Sequence, residues 1–141
     1  MTRLVCFHSI PQDLIQKLQA EFPSVEIQQC TSKQALQEAL LQAEILVTFK
    51  CTQAMLDQAP QLKWVQALST GVDMYPVEEL HKRGIILTST TGMHAGHMSE
   101  LALMAMLMLA RNMHQVLSNQ NVKVWDRKVT QDEIAGKTVG I

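Results

Sequence analysis

Aromatic residues and charges of either sign are scarce in this chain of 141 residues. Phe, Trp and Tyr make up 4% of it and charged residues 18%, below the about 25% that is typical of soluble domains. The formal net charge is −1, which disfavours a nucleic-acid-binding protein, since such proteins need a basic surface. The hydrophobic fraction of 47% excludes a disordered tail and is sufficient for the core of one domain.

Long apolar runs and paired cysteines are missing as well. The longest apolar run, Leu101–Ala110, has ten residues, whereas a membrane-spanning helix needs about 20. The N-terminal residues lack an apolar signal core, and Cys6, Cys30 and Cys51 are an odd number without CxxC spacing. We therefore expect a cytoplasmic protein with reduced thiols and no membrane partner.

Short apolar segments alternate with amphipathic ones before residue 90. Continuous apolar strands are typical of a parallel sheet that is buried on both faces. The sequence predicts an α/β fold, a doubly wound, flavodoxin-like sheet of five parallel strands. The predicted strands are Leu4–Phe7, Val25–Ile27, Ile45–Phe49, Trp64–Leu68 and Ile85–Thr88. The helices between them are predicted to begin at Pro11, at Thr31 or Ser32, at Thr52 and at Pro76.

The character of the sequence changes after Thr88. A polar loop over residues 89–97 precedes a helix that Ser99 is predicted to cap and that runs toward Leu117. Its run of apolar residues leaves no polar face, so we expect burial on all sides, against a second domain or a second subunit. Residues 136–141 have the pattern of a turn entering a new buried strand. Because one strand cannot form a sheet alone, we expect a chain truncated within an element.

Four stretches of the sequence, in order, match the pattern of one protein family. Trp64–Asp73 is similar to a strand of the family and to the turn after it, in which a small residue, a glycine, a hydrophobic residue and an aspartate follow one another. Residues 82–88 are similar to the next strand of the family. Residues 99–111 resemble its long helix ending in Arg, and residues 136–141 its strand before the dinucleotide fingerprint. Residues 1–63 fit by fold pattern. The chain thus resembles the D-isomer-specific 2-hydroxyacid dehydrogenases.

The resemblance implies a parent enzyme with a substrate domain and an NAD(P)-binding Rossmann domain. Residues 1–97 would form the flavodoxin-like substrate (catalytic) domain, and residues 98–141 the interdomain helix and first strand of an incomplete NAD-binding domain. The G-x-G-x-x-G loop that binds the pyrophosphate is expected after Ile141, because Gly92 and Gly96 lack its spacing. A cofactor, NAD or NADP, and a small 2-oxo or 2-hydroxy acid substrate are expectations for the intact protein.

Reduction of a 2-oxo acid needs a hydride, a proton donor with a pKa near neutrality and a cation for the carboxylate. In the family the catalytic Arg, Glu and His lie in the cofactor domain, so we assign no catalytic residue to this chain and expect it to be inactive alone. The alternative is a non-enzymatic binding or assembly module of the same fold. A receiver-like domain is disfavoured, because His8 and Lys50 stand where acidic residues are needed.

The first domain is expected to bind the carboxylate of the substrate. Thr70 and Gly71 follow a strand at the sheet edge where α/β folds bind ligands, and their N–H groups can point at an anion. By resemblance these amides hold the substrate carboxylate; the alternative is an ordinary turn that needs a glycine. Lys50 ends a strand at the same edge and is either a determinant of substrate charge or size or a solvated lysine. Asp73 is expected to cap the turn or the following segment rather than to act in chemistry.

Residues near the start of the long helix lead to three further expectations. Met98 stands where the resemblance places an apolar residue against the nicotinamide, with core packing as the alternative. His94 and His97 have HxxH spacing without a third ligand, so no metal site is expected. Because an apolar helix left in water is unfavourable, we expect a homodimer through the 99–117 helix.

Overall fold

The computed structural model describes residues 1–140, in which strands and helices alternate as far as Thr88 and two further helices follow. The strands are β1 (Thr2–Phe7), β2 (Val25–Gln29), β3 (Ile45–Thr48), β4 (Trp64–Ala67) and β5 (Ile86–Thr88). The helices are α1 (Gln12–Glu21), α2 (Lys33–Leu40), α3 (Gln53–Asp57), α4 (Val77–Lys82), α5 (Ala95–Ala110) and α6 (Met113–Asn121). The chain divides into two units, Met1–Met93 and the residues from His94 onward.

Local sequence determines where the helices of the first unit begin and end. Ser32 Oγ accepts a hydrogen bond from Ala35 N–H at 3.2 Å at the start of α2. Thr52 Oγ1 accepts one from Met55 N–H at 3.4 Å at the start of α3. Gly84, with a φ of +67°, follows α4 in the left-handed conformation that ends many helices. The starts of α2 and α3 agree with the sequence prediction.

Five parallel strands form one sheet in the order β2-β1-β3-β4-β5. The chain moves from β1 to β2 in one direction, then crosses back to β3 and continues to β4 and β5. Because crossovers between parallel strands are right-handed, this reversal places α1 on one face of the sheet and α2, α3 and α4 on the other. The strand order is that of flavodoxin-like folds, which confirms the predicted fold class.

The main core of the first unit lies on the face of the sheet that packs against α2, α3 and α4. Leu46 of β3 and Val65 of β4 are neighbours in the strand register, and both are fully buried. Leu40 of α2 and Leu80 of α4 are buried in the same cluster. Burial of each such side chain stabilises the fold by about 1.5–3 kcal/mol. This one-sided core holds the strands in place.

The opposite face of the sheet is open beside β4 and β5. Trp64 is 37% exposed, and Ile86, its partner in the strand register, is 62% exposed. Within the first unit the crossover rule places α1 alone on this face, and α1 has no buried residue. The prediction that the strands are buried on both faces is therefore wrong for β4 and β5, because one helix cannot cover five strands.

The second unit begins with α5, whose ends differ from those predicted. Ser99 is not its N-cap, since the helix begins at Ala95 and Ser99 Oγ donates to Ala95 O at 2.6 Å inside it. α5 ends at Ala110, and Asn112, with a φ of +48°, separates it from α6. Asn112 Nδ2 donates to Thr130 O at 2.7 Å. A contact distant in sequence thus interrupts the helix that the apolar pattern predicts as continuous.

Burial in the second unit also differs from the prediction. None of the residues of α5 is buried, and Leu103 and Leu107 are 50% and 42% exposed. Residues 137–140 form no strand, because a strand needs a hydrogen-bonded neighbour; Ile141, the end of that predicted strand, lies outside the described residues. No helix in residues 1–140 is both long enough and apolar enough to cross a membrane.

Replacing Leu40 by Ala should lower the free energy of unfolding by about 2–5 kcal/mol, because removing a fully buried side chain leaves a cavity. The neighbouring Leu41 is 58% exposed and is the matched control. Leu41→Ala should change stability by less than about 1 kcal/mol. Urea unfolding followed by circular dichroism measures both effects. Equal losses in the two variants would contradict the position of the core.

Candidate functional site

The carboxyl ends of β3, β4 and β5 meet at one edge of the sheet in the first unit. Lys50 follows β3. Residues 68–71, here named the β4 bend, follow β4, and residues 89–93, the β5 loop, follow β5. Parallel α/β sheets bind ligands at this edge, so the hydrogen bonding of the two segments determines what the edge can bind.

Thr90 of the β5 loop anchors the first half of the β4 bend. Its N–H donates to Ser69 O at 3.3 Å, and its hydroxyl donates to Leu68 O at 3.3 Å. Leu68 N–H donates to Thr48 O of β3 at 2.9 Å. The bend is therefore tied to the elements on both sides of it.

Two hydroxyl groups hold the second half of the bend. Thr91 Oγ1 donates to Thr70 O at 3.3 Å. Ser69 Oγ donates to Gly71 O at 2.7 Å. Together with the two bonds from Thr90, these contacts give every carbonyl of the β4 bend a hydrogen-bond donor from within the protein.

Three amides of the β4 bend, unlike its carbonyls, lack hydrogen-bond partners within the described residues. The N–H groups of Thr70 and Gly71 donate to no acceptor among residues 1–140. A bend that has its carbonyls bonded and three consecutive amides free, those of Ser69, Thr70 and Gly71, presents donors, which is the arrangement that binds an anion. A Cβ at Gly71 would lie 3.0 Å from Asp73 Oδ2, so a larger residue there would press on this carboxylate.

Asp73 does not have the role that the sequence predicted for it. Its carboxylate makes no hydrogen bond in the part of the chain that the structure describes, so it does not cap the turn. The hydroxyl of Ser69 bonds across the turn instead, because it reaches Gly71 O directly. Asp73 is a negative charge close to Gly71, which an anion at the bend has to tolerate.

Tyr75 holds the far side of the bend against β3. Its hydroxyl donates to Thr48 O at 2.6 Å, and the residue is only 6% exposed. Burial raises the pKa of Tyr75, so the phenol stays protonated. The sequence prediction missed Tyr75, Thr90 and Thr91. Hydroxyl groups in loops have no periodicity, and only the pairing of β4 with β5 brings the two threonines to the bend.

Lys50 lies at the exposed end of β3. Its N–H donates to Thr48 Oγ1 at 3.3 Å. Its ammonium group takes part in none of the ion pairs within residues 1–140. Beside it, the rings of Phe49 and His8 pack edge to face with centroids 4.9 Å apart. Lys50 thus supplies an uncompensated positive charge at the same sheet edge as the β4 bend.

The second unit holds the other residues that the sequence singled out. Met98 lies in α5 and is 57% exposed, so it is not a core residue. His94 Nδ1 and His97 Nε2 are 3.2 Å apart and share a hydrogen bond. Within residues 1–140 no three His, Cys, Asp or Glu side chains are grouped so that they can hold a metal ion.

The three cysteines are free and buried. Burial raises the pKa of Cys51 to about 11, and it raises the pKa of Cys6 and Cys30 as well. Since the thiolate is the reactive form of cysteine, these groups are poor nucleophiles at neutral pH. They act in packing rather than in chemistry.

The fold defines the class of this protein, a flavodoxin-like α/β domain with the β4 bend at the carboxyl-end edge of its parallel sheet. Residues 4–138 match the family described as D-isomer specific 2-hydroxyacid dehydrogenase, catalytic domain. The match extends over most of the sequence, and the chain belongs to this family.

Two curated relatives are similar over the whole chain. D-3-phosphoglycerate dehydrogenase of Methanocaldococcus jannaschii is 30% identical over 145 residues, which cover 100% of this chain and 28% of the relative. Glyoxylate/hydroxypyruvate reductase B of Yersinia enterocolitica is 30% identical over 146 residues, which cover 98% of this chain and 45% of the relative. The chain thus spans less than half the length of these relatives.

Solved structures share the fold. The D-lactate dehydrogenase of Aquifex aeolicus, complexed with NAD and lactic acid, superposes with a TM-score of 0.73 and 18% identity, over 94% of this chain and 41% of that one. The PH0520 protein of Pyrococcus horikoshii superposes with a TM-score of 0.73 and 21% identity, over 91% of this chain and 39% of that one. At these identities the similarity concerns the fold alone.

Proposed function

We propose that this chain is the substrate-binding part of an NAD(P)-dependent oxidoreductase that interconverts 2-oxo acids and D-2-hydroxy acids. The observation that carries the proposal is the β4 bend, with its carbonyls bonded inside the protein and its Thr70 and Gly71 amides free. In this function the two amides bind the carboxylate of the acid. Membership of the 2-hydroxyacid dehydrogenase family supports the assignment.

Charges at the sheet edge are proposed to tune which acids bind. Lys50 provides a positive charge that attracts anionic substrates and offsets the Asp73 carboxylate beside Gly71. An acid that carries a second polar or anionic group gains most from this lysine. Substrate charge is therefore the property that we assign to Lys50, and carboxylate binding the property that we assign to Thr70 and Gly71.

The nicotinamide cofactor supplies or accepts the hydride in the intact protein. Residues 1–140 hold no loop for its pyrophosphate, since Gly92 and Gly96 lack the G-x-G-x-x-G spacing, so they do not fit the nucleotide by themselves. We propose one contact, between Met98 and the nicotinamide, and we assign no catalytic residue to the chain. Residues 1–97 are proposed as the substrate domain, and residues 98–141 as the interdomain helix and the start of the cofactor domain.

A reducing compartment, the cytoplasm, fits the thiols best. Cys6, Cys30 and Cys51 are all free and buried, and an oxidising compartment favours paired cysteines. This placement is part of the proposal, and it requires that the thiols stay reduced in the native protein.

Pyruvate should bind the β4 bend and shift the NMR signals of the Thr70 and Gly71 amides, because those donors are free to meet its carboxylate. Methyl pyruvate, which lacks the charge, should leave them in place. Gly71→Ala should weaken pyruvate binding by about two- to tenfold, because the added Cβ would lie 3.0 Å from Asp73 Oδ2 and the carboxylate or the bend has to shift to make room for it. Gly96→Ala, where a Cβ meets nothing within 4 Å, is the matched control. Binding that is equal in the two variants, or the absence of amide shifts, would contradict the proposal.

The chain alone should not oxidise NADH with pyruvate, glyoxylate or hydroxypyruvate, because residues 1–140 hold no loop with the G-x-G-x-x-G spacing and we assign no proton donor to them. A spectrophotometric assay that follows the absorbance of NADH measures this, because the reduced nicotinamide is the form that donates the hydride and is consumed. Turnover by the pure 141-residue chain would refute the proposal that this chain binds the substrate while the catalytic residues and the nucleotide loop lie elsewhere in the intact protein.

A second candidate function, a module for assembly, is favoured by α5. Leu103 and Leu107 are half-exposed at a spacing that puts them on one side of the helix. Exposed apolar patches of this kind mark interaction surfaces. We propose that the chain forms a homodimer through residues 99–117, which extend from α5 into α6.

Sedimentation velocity should show a concentration-dependent dimer that Leu103→Gln combined with Leu107→Gln dissociates, since burying two glutamines without partners is unfavourable. Ala105→Gln, an exposed change on the opposite side of α5, should leave the dimer intact. A monomer at all concentrations in the unchanged chain would exclude this assembly.

A further inference from the structure

The carbonyls of the β4 bend and its free amides belong to the same peptide groups. Thr70 O, which accepts from Thr91 Oγ1 at 3.3 Å, shares a peptide group with Gly71 N–H. Ser69 O, which accepts from Thr90 N–H at 3.3 Å, shares one with Thr70 N–H. A peptide group is planar and trans, so its carbonyl and its N–H point in opposite directions. A donor on the carbonyl therefore directs the amide away from that donor.

A bonded carbonyl also makes its amide a stronger donor. Hydrogen bonds in a chain polarise one another, so a peptide whose oxygen accepts a bond has a more positive N–H. Without a donor on Thr70 O, the carbonyl is free to rotate toward the anion and repel it. The hydroxyl of Thr91 thus acts on Gly71 N–H in two ways, by orientation and by polarisation.

Ser89 extends this chain of hydrogen bonds by one step. Ser89 Oγ and Thr91 Oγ1 are 2.7 Å apart. A threonine hydroxyl has one proton, and Thr91 uses it on Thr70 O, so Ser89 is the donor to Thr91. The chain of hydrogen bonds thus leads from the Ser89 hydroxyl to the Thr91 hydroxyl and from there to the Thr70 carbonyl. The peptide group of that carbonyl carries the amide of Gly71.

We propose that Thr91 is a positioning residue for the anion site, acting through the Thr70–Gly71 peptide without touching the substrate. This inference rests on the proposed function, because it requires that the β4 bend binds a carboxylate. In this proposal the β5 loop has a role in substrate affinity that the charge and composition of the loop do not indicate. The Thr90 contact on the adjacent peptide comes from a backbone N–H, so Thr91 is the contact that a side-chain substitution can remove.

The test compares Thr91→Val, which has the same shape without the hydroxyl, with Thr91→Ser, which restores it. In the free 141-residue chain, Thr91→Val should move the amide nitrogen signal of Gly71 upfield, and Thr91→Ser should leave it near its original position. In an NMR titration with pyruvate, Thr91→Val should weaken binding by about two- to fivefold. Thr91→Ser should bind as the unchanged chain does. Thr31→Val, at an exposed threonine outside the site, is the control.

The possible outcomes separate this inference from the proposed function. If the unchanged chain binds pyruvate and Thr91→Val binds it equally well with the Gly71 signal unmoved, the inference is wrong and the proposed function stands. If the unchanged chain shows no binding, both are wrong. A loss in Thr91→Val that Thr91→Ser does not restore would also overturn the inference, because shape rather than the hydroxyl would then be responsible.

Discussion

A planar trans peptide group sends its carbonyl and its N–H to opposite sides, and the candidate site depends on this constraint. The β4 bend has all of its carbonyls bonded within the protein, so Thr70 and Gly71 retain amides that have no acceptor in residues 1–140. The donors to three of these carbonyls come from Thr90 and Thr91 of the β5 loop. The parallel register of β4 and β5 is therefore what brings these donors to the bend.

Packing holds the β4 bend in place from the side of β3. Tyr75 is buried and donates to Thr48 O, which also accepts from Leu68 N–H. One backbone oxygen thus connects the beginning of the bend to the segment that follows it. Such a shared acceptor fixes the distance between the two ends of the bend, and a fixed bend binds an anion without a further loss of conformational entropy.

The apolar residues of the chain fall into two groups with different consequences. Leu40, Leu46 and Val65 are buried together and stabilise the first unit. Leu103 and Leu107 of α5 remain half-exposed, although their helix is among the most apolar segments of the sequence. Covering such a helix is favourable by about 25 cal/mol per Å² of apolar surface. This is why an association surface on α5 is proposed in addition to a substrate site on the first unit.

The sequence by itself determined the strands, the caps at Ser32 and Thr52 and the fold class, because apolar runs and capping residues act over a few neighbouring positions. It also pointed to the residues of the β4 bend, through a glycine that follows a strand. Only the tertiary structure decided which groups bond to that bend and where α5 ends. The donors at Thr90 and Thr91, like the Asn112 contact that interrupts the helix, join residues about 20 positions apart, and no local pattern encodes such contacts.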